Sequence, residues 1–175
     1  MNVNQLSEIF YKNYCLVRLK PTTCNGYFNN IKLHILPYIG DIYIDKLSVS
    51  DVDSLFFILK NKGLNNTSIR YVLIVLRKML SFAVFRGYTT KNIMDFVSLP
   101  TPARYNYVVW DDDIIKYVID IIYNRDFKPY FLLPCLLLSL HYGLRRGEVM
   151  GLKWSDFTSY SFKVSRTKTY IKDSF

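Results

Sequence analysis

Between Ser68 and Arg86, apolar residues recur at three- and four-residue steps: Ile69, Val72, Leu73, Leu76, Met79, Leu80 and Ala83. That spacing lays one continuous stripe along an α-helix and does not suit a strand. Asn65, Asn66 and Thr67 can cap its start, and Gly87 suits the position just past its end. A long helix with one apolar face has to be covered, so the surrounding sequence must supply other helices. Residues 4–19 carry Leu6, Ile9, Phe10, Tyr14 and Val17 at helical spacing. A second helix opens at Pro21, faces inward with Tyr27, Ile31, His34 and Ile35, and is expected to end at Pro37. Gly40-Asp41 reads as a turn. A third helix over 49–61 can be capped by Ser48 or Ser50, with Asp51 and Asp53 near its positive end and Gly63 as its stop. A short helical turn near 92–96 closes the unit. Half of the sequence is apolar and 17% is aromatic, which supplies a core and argues against global disorder.

Leu99-Pro100-Thr101-Pro102 then interrupts the pattern. Two prolines within three residues make a stiff, extended connection. The expected organisation is a helical domain over 1–98, a linker over 99–109 and a second domain over 110–175. In that second part, Trp110-Asp111-Asp112-Asp113 begins a helix. Three acids in a first turn suit the helix dipole and read as a solvated cap, not a metal site. Residues 129–141 read as a buried helix ended by Gly143, and 146–152 as a short helix. Alternation of Phe162 and Val164 with Lys163 and Ser165 predicts a strand over 161–165.

The formal net charge is +9, and the first hundred residues carry +6 of it. A cationic folded chain favours a polyanionic partner, because neutralising phosphates releases counterions. Three cysteines, Cys15, Cys24 and Cys135, form neither a disulfide framework nor a CxxC zinc pattern. Cys135 lies in an apolar run and is expected in the core. The N-terminus does not resemble a signal peptide. The most apolar segment, 131–140, is about half of what a bilayer span requires. A cytoplasmic protein without membrane contact is expected.

The stretch from His141 to Asp156 carries the chemistry. Gly143 lets the backbone turn after a buried helix. Arg145 then sits at the mouth of a short helix, which Leu144, Val149 and Leu152 can anchor from behind. Glu148, three residues on, lies on the same helical edge and can hold the guanidinium or receive nearby backbone donors. A guanidinium fixed in this way presents a planar fork to a phosphate. This stretch resembles the first conserved box of the tyrosine recombinases (phage integrase family), T-G-x-R-x-x-E-x-x-x-L followed by W-x-D. Gly143, Arg145, Glu148, Leu152, Trp154 and Asp156 match, and Tyr142 stands where the family has threonine. Lys20-Pro21-Thr22-Thr23, Tyr27, Ile31, His34-Ile35, Pro37 and Ile39-Gly40 are similar to that family's K-P-x-T-x-x-x-Y-x-x-x-I-x-x-H-I-x-P-x-[LI]-G pattern.

The resemblance implies a mainly α protein. A SAM-like core-binding domain of four to five helices would precede the first part of an α+β catalytic domain, with helices and then the start of a β-hairpin. It implies double-stranded DNA as partner, other recombinase protomers on that DNA, and no metal or other cofactor. It assigns Arg145 to the scissile phosphate and Glu148 to the support of the active site. Lys168, followed by Thr169, stands 23 residues after Arg145 and is a candidate for the family's hairpin lysine. A later lysine beyond an insert that includes Lys172 is the alternative. For DNA contacts, Lys20, Thr22, Thr23, Asn66, Thr67, Arg70 and Lys78 lie at helix starts and on polar faces, where amides and short hydroxyls suit phosphate oxygens. A cap or a solvated charge is the plainer alternative for each.

The family's nucleophilic tyrosine and H-x-x-R box have no counterpart in these 175 residues. The only tyrosines after Arg145 are Tyr160 and Tyr170, both too early. A C-terminally truncated member of a mobile element's recombinase is expected, which binds DNA without cleaving it. A stand-alone DNA-binding regulator or competitor remains open. So does a helical protein-interaction domain that binds no DNA.

Overall fold

The computed structural model describes residues 1–102, 106–124 and 132–169. Two compact units are divided between Tyr105 and Asn106.

The first unit begins with one continuous rod: α1 (Val3–Phe10), a π-turn over Tyr11–Cys15, and α2 (Leu16–Arg18). Asn2 and Gln5 form a reciprocal capping box at its start. In the π-turn the Leu16 N–H reaches back five residues to the Tyr11 carbonyl. The wider turn changes the phase of the helix. Cys15 therefore takes the inward position, and Val17, expected on the inner face, is 73% exposed. A second rod joins α3 (Pro21–Asn30), a π-turn over Ile31–Ile35, and α4 (Leu36–Ile39). Pro37 does not end this rod, contrary to the sequence expectation. The ladder is already widened before it, which relieves both the missing N–H and the clash of the ring with the carbonyl four residues back. The rod ends instead at the turn of Gly40 and Asp41.

Helix α5 (Val49–Asn61) is capped by Ser48, whose hydroxyl accepts the Asp51 N–H while Asp51 accepts the Ser48 N–H. Helix α6 (Asn66–Phe85) starts at Asn65, which accepts the Ser68 N–H at 2.8 Å. It stops at Gly87, whose φ of +73° suits glycine. There the Tyr88 N–H returns to the Ala83 carbonyl and the Gly87 N–H to Val84.

Ile69, Val72, Leu73, Val75, Leu76, Met79, Leu80, Phe82 and Ala83 of α6 are buried. They pack in one core with Leu6, Phe10, Ile31, Ile35, Val52, Leu55 and Leu59. Phe10 meets Phe82 edge to face, ring centres 5.5 Å apart. A 3-10 turn over Ile93–Phe96 then leads the chain back along the polar edge of α6. Arg77 donates to the carbonyls of Met94 (2.6 Å) and Val97 (3.1 Å). Asn92 donates to the Arg77 carbonyl and to the Ser81 hydroxyl. Arg70 reaches the Pro100 carbonyl and Asn66 the Thr101 carbonyl, both at 3.2 Å. Leu99, Pro100 and Thr101, read from the sequence as the start of a linker, are thus fastened to this unit.

The second unit contains α7 (Asp112–Asn124), α8 (Leu132–Tyr142), α9 (Arg146–Val149) and a 3-10 turn over Trp154–Asp156. Asp111 caps α7 by accepting the Ile114 N–H at 2.9 Å. The expected start of α8 at Pro129 lies outside the described residues. Helix α8 was expected to be buried, but Leu132 and Leu140 are exposed and Cys135 only half-buried. Its described neighbours, α7 and the short α9, cover one side of it. No strand forms over 161–165 among the described residues. Phe157 and Phe162 make a single antiparallel bridge around a turn at Thr158–Ser161. The partner segment coils into the 3-10 turn immediately before Phe157, so the ladder cannot extend.

Leu76→Ala should lower unfolding free energy by about 3 kcal/mol, whereas exposed Leu33→Ala should change it by under about 0.5 kcal/mol in the same chemical denaturation. Arg77→Met strips two carbonyls of a charged donor and should cost roughly 2–3 kcal/mol. Amide exchange should then accelerate over residues 92–97 before it does in α1 or α5.

Candidate nucleic-acid interface

Helix α8 ends at Gly143, where a φ of +66° turns the chain sharply and the N–H bonds the Ser139 carbonyl at 3.0 Å. The backbone emerges extended at Arg145, which is the N-cap of α9. Glu148 turns back on it. One carboxylate oxygen accepts the Arg145 N–H at 2.9 Å and the other accepts from Nη1 of the guanidinium at 3.2 Å. The Arg145 side chain is 86% exposed and that of Glu148 only 22%. The Arg145 N–H, followed by its side chain, holds the Glu148 carboxyl below the ordinary glutamate range against the opposing effect of desolvation. Glu148 is therefore ionised at neutral pH. One corner of the guanidinium is fixed, and the rest of its donor fork faces solvent. Leu144, Val149 and Leu152 are half-buried behind α9.

Trp154 and Asp156 take opposite positions. The Trp154 side chain is 92% exposed. The Asp156 carboxylate, 9% exposed, accepts the Lys153 N–H at 2.8 Å and a two-pronged ion pair from Arg166 at 2.8 and 2.9 Å. Lys168 is exposed, and its backbone N–H donates to the Gly147 carbonyl at 2.9 Å. The structure thus brings the Lys168 backbone against Gly147, which stands two residues after Arg145 in the sequence.

In the first unit, Lys20 is the exposed N-cap of α3, with Thr22 exposed and Thr23 half-buried in the first turn. Thr67 lines an open cavity of about 540 Å³ with Asn30, His34, Ser68 and Tyr71. Asn66 and Arg70 spend donors on Thr101 and Pro100, and Asn66 also accepts from Lys60 at 2.9 Å. Lys78 lies over the Tyr14 ring at 5.4 Å. It lines a cleft of about 240 Å³ with Arg18 and Arg86, and Arg86 lies over Phe82 at 5.5 Å. Arg18 and Arg86 were missed in the sequence reading. Arg86 stands eight residues after Lys78, two turns along one helix face, and that spacing was a signal for it. Arg18 comes from another rod and had none.

Residues 2–55 match the family described as phage integrase, N-terminal SAM-like domain. The ICEBs1 integrase of Bacillus subtilis (strain 168) is 25% identical over 165 aligned positions, in a match that covers 91% of this chain and 42% of that protein. The chain therefore spans less than half the length of that relative. Among solved structures, a lambda integrase dimer bound to a COC′ core site aligns with a TM-score of 0.78 at 18% identity, over 91% of this chain and 54% of that one. The Tn1549 transposon integrase in complex with transposon right-end DNA aligns at 0.76 and 21%, over 90% and 50%. The fold is the expected one: mainly α, with a SAM-like helical unit followed by the beginning of an integrase catalytic domain. Residues 2–55 thus carry the phage integrase N-terminal SAM-like domain, and over about nine tenths of its length the chain shares the fold of the lambda and Tn1549 integrases.

Proposed function

We propose that these 175 residues grip double-stranded DNA for site-specific recombination, with Arg145 as the clamp on the reacting phosphate. The observation that carries this reading is the Arg145 guanidinium, pinned at one corner by Glu148 and otherwise open to solvent. A planar fork held in this way matches two phosphate oxygens without further ordering. Glu148 acts through Arg145, and Lys168 is a second cation for the same phosphate. Charge supports the reading, since +9 over 175 residues favours a polyanion. So do the relatives, because the lambda and Tn1549 integrases were solved with DNA. Residues 1–98 would clamp the duplex through Lys20, Thr22, Thr23, Thr67 and Lys78, and residues 99–109, whose first three are held to that unit, would lead to the reacting phosphate at 110–175. Free donors of Arg70 and Asn66 would add to this. Action in the cytoplasm, as part of a mobile element and alongside other protomers, fits the same reading.

Phosphoryl transfer in this family needs a tyrosine nucleophile and a second arginine, and no H-x-x-R stands in this sequence. On this reading these residues by themselves bind DNA without cutting it.

Gel-shift titrations with duplex DNA should show affinity falling steeply and linearly with salt on logarithmic axes, and Arg145→Gln should lower the slope by about one. Salt-independent or absent binding would refute the reading and favour a protein-interaction domain. Labelled DNA should give no covalent adduct with this segment alone. An adduct should appear when a fragment bearing the H-x-x-R box and late tyrosine of a relative is added, and Arg145→Gln should suppress it.

A further inference from the structure

We infer that Gly147 and Gly151, with the Asp156–Arg166 ion pair, are positioning residues that seat residues 166–168 against α9 and so hold Lys168 beside Arg145. This rests on the reading of Arg145 as a phosphate clamp. Gly147 and Gly151 stand four residues apart, one turn from each other. A Cβ on Gly147 would come within 2.6 Å of the Thr167 Cγ2 and 3.1 Å of the Lys168 carbonyl oxygen. A Cβ on Gly151 would come within 2.7 Å of the Arg166 carbonyl oxygen. The Thr167 side chain and the backbone of Arg166 and Lys168 thus fill the space that two side chains would otherwise take. Gly151 is the one buried residue among those described in this unit.

Close approach alone leaves the register free. Arg166 fixes it. Its guanidinium forks onto both oxygens of Asp156, and Nη1 also lies 3.4 Å from the Gly151 carbonyl. Asp156 is itself held by the Lys153 N–H. Two residues past Arg166, the Lys168 N–H closes on the Gly147 carbonyl. The segment has no strand ladder to hold it among the described residues, so these fastenings stand in for one. Lys168 and Arg145 are then placed by folding and need not be gathered by the substrate, which is how charged groups around a transferring phosphate act with least reorganisation.

The test uses the full 175-residue chain with ¹³C-dimethylated lysines and a short mixed-sequence duplex. Lys168 is assigned by loss of its signal in Lys168→Arg. In the parent, the Lys168 methyl resonance should shift on adding duplex, and its amide should exchange slowly in the free protein. Gly147→Ala should abolish both effects. Adding Thr167→Ser removes the Cγ2 that the new methyl strikes and leaves only the 3.1 Å approach to the Lys168 carbonyl, which a shift of a few tenths of an ångström relieves; it should restore most of both effects, a repair that general destabilisation would not show. An unchanged Lys168 response in Gly147→Ala, or no repair by Thr167→Ser, would overturn the inference. If no lysine responds to duplex, the DNA-binding reading falls, while the amide-exchange pair still decides whether the seat exists.

Discussion

Burial of one face of α6 is the condition on which the first unit rests. Nine of its twenty residues are buried, and both rods and α5 pack against them. At about 1.5–3 kcal/mol for each fully buried large side chain, no other element contributes comparably. The constraint also determines what the opposite edge can do. The polar positions left over, Asn66, Arg70 and Arg77, turn back onto carbonyls of residues 94–101. The same helix therefore organises the core on one side and fastens the departing chain on the other.

Much of this was legible in the sequence because it is local. The stripe on α6, the caps at Ser48, Asn65 and Asp111, the short turn near 92–96 and the stop at Gly87 are decided by residues within a few positions of one another. The two π-turns were not legible. Nothing in Tyr11–Cys15 departs from a helical pattern, yet the wider turn moves Cys15 inward and Val17 outward. Pro37 looked like a terminator for the same reason, since the turn that tolerates it leaves no mark in the residue types. Asn66 and Arg70 were read as DNA contacts from their place near a helix start. Their partners lie about thirty residues away, where neither spacing nor periodicity reaches.

The candidate site divides along the same line. Arg145 and Glu148 are three residues apart, as N-cap and third residue of α9, and their pairing is decided within one turn. The approach of Lys168 to Gly147 does not, because it depends on the chain doubling back through Asp156 and Arg166. The expected strand over 161–165 had the right alternation but lacked a straight partner. A period of two reports that a segment can be extended. It does not report that a neighbour is available for pairing.

The unusually high number of aromatic residues, 15 tyrosines and 12 phenylalanines among them, has a use besides the core. Lys78 and Arg86 rest over Tyr14 and Phe82, and Lys62 and Lys32 rest similarly over Tyr38 and Phe28. A long cationic side chain that stands free in water loses rotamer entropy when it meets a phosphate, about 0.5–1.5 kcal/mol for each one immobilised. A cation already leaning on a ring has surrendered part of that freedom during folding. Part of the positive surface of the first unit is thus held by ring contacts that form as the chain folds.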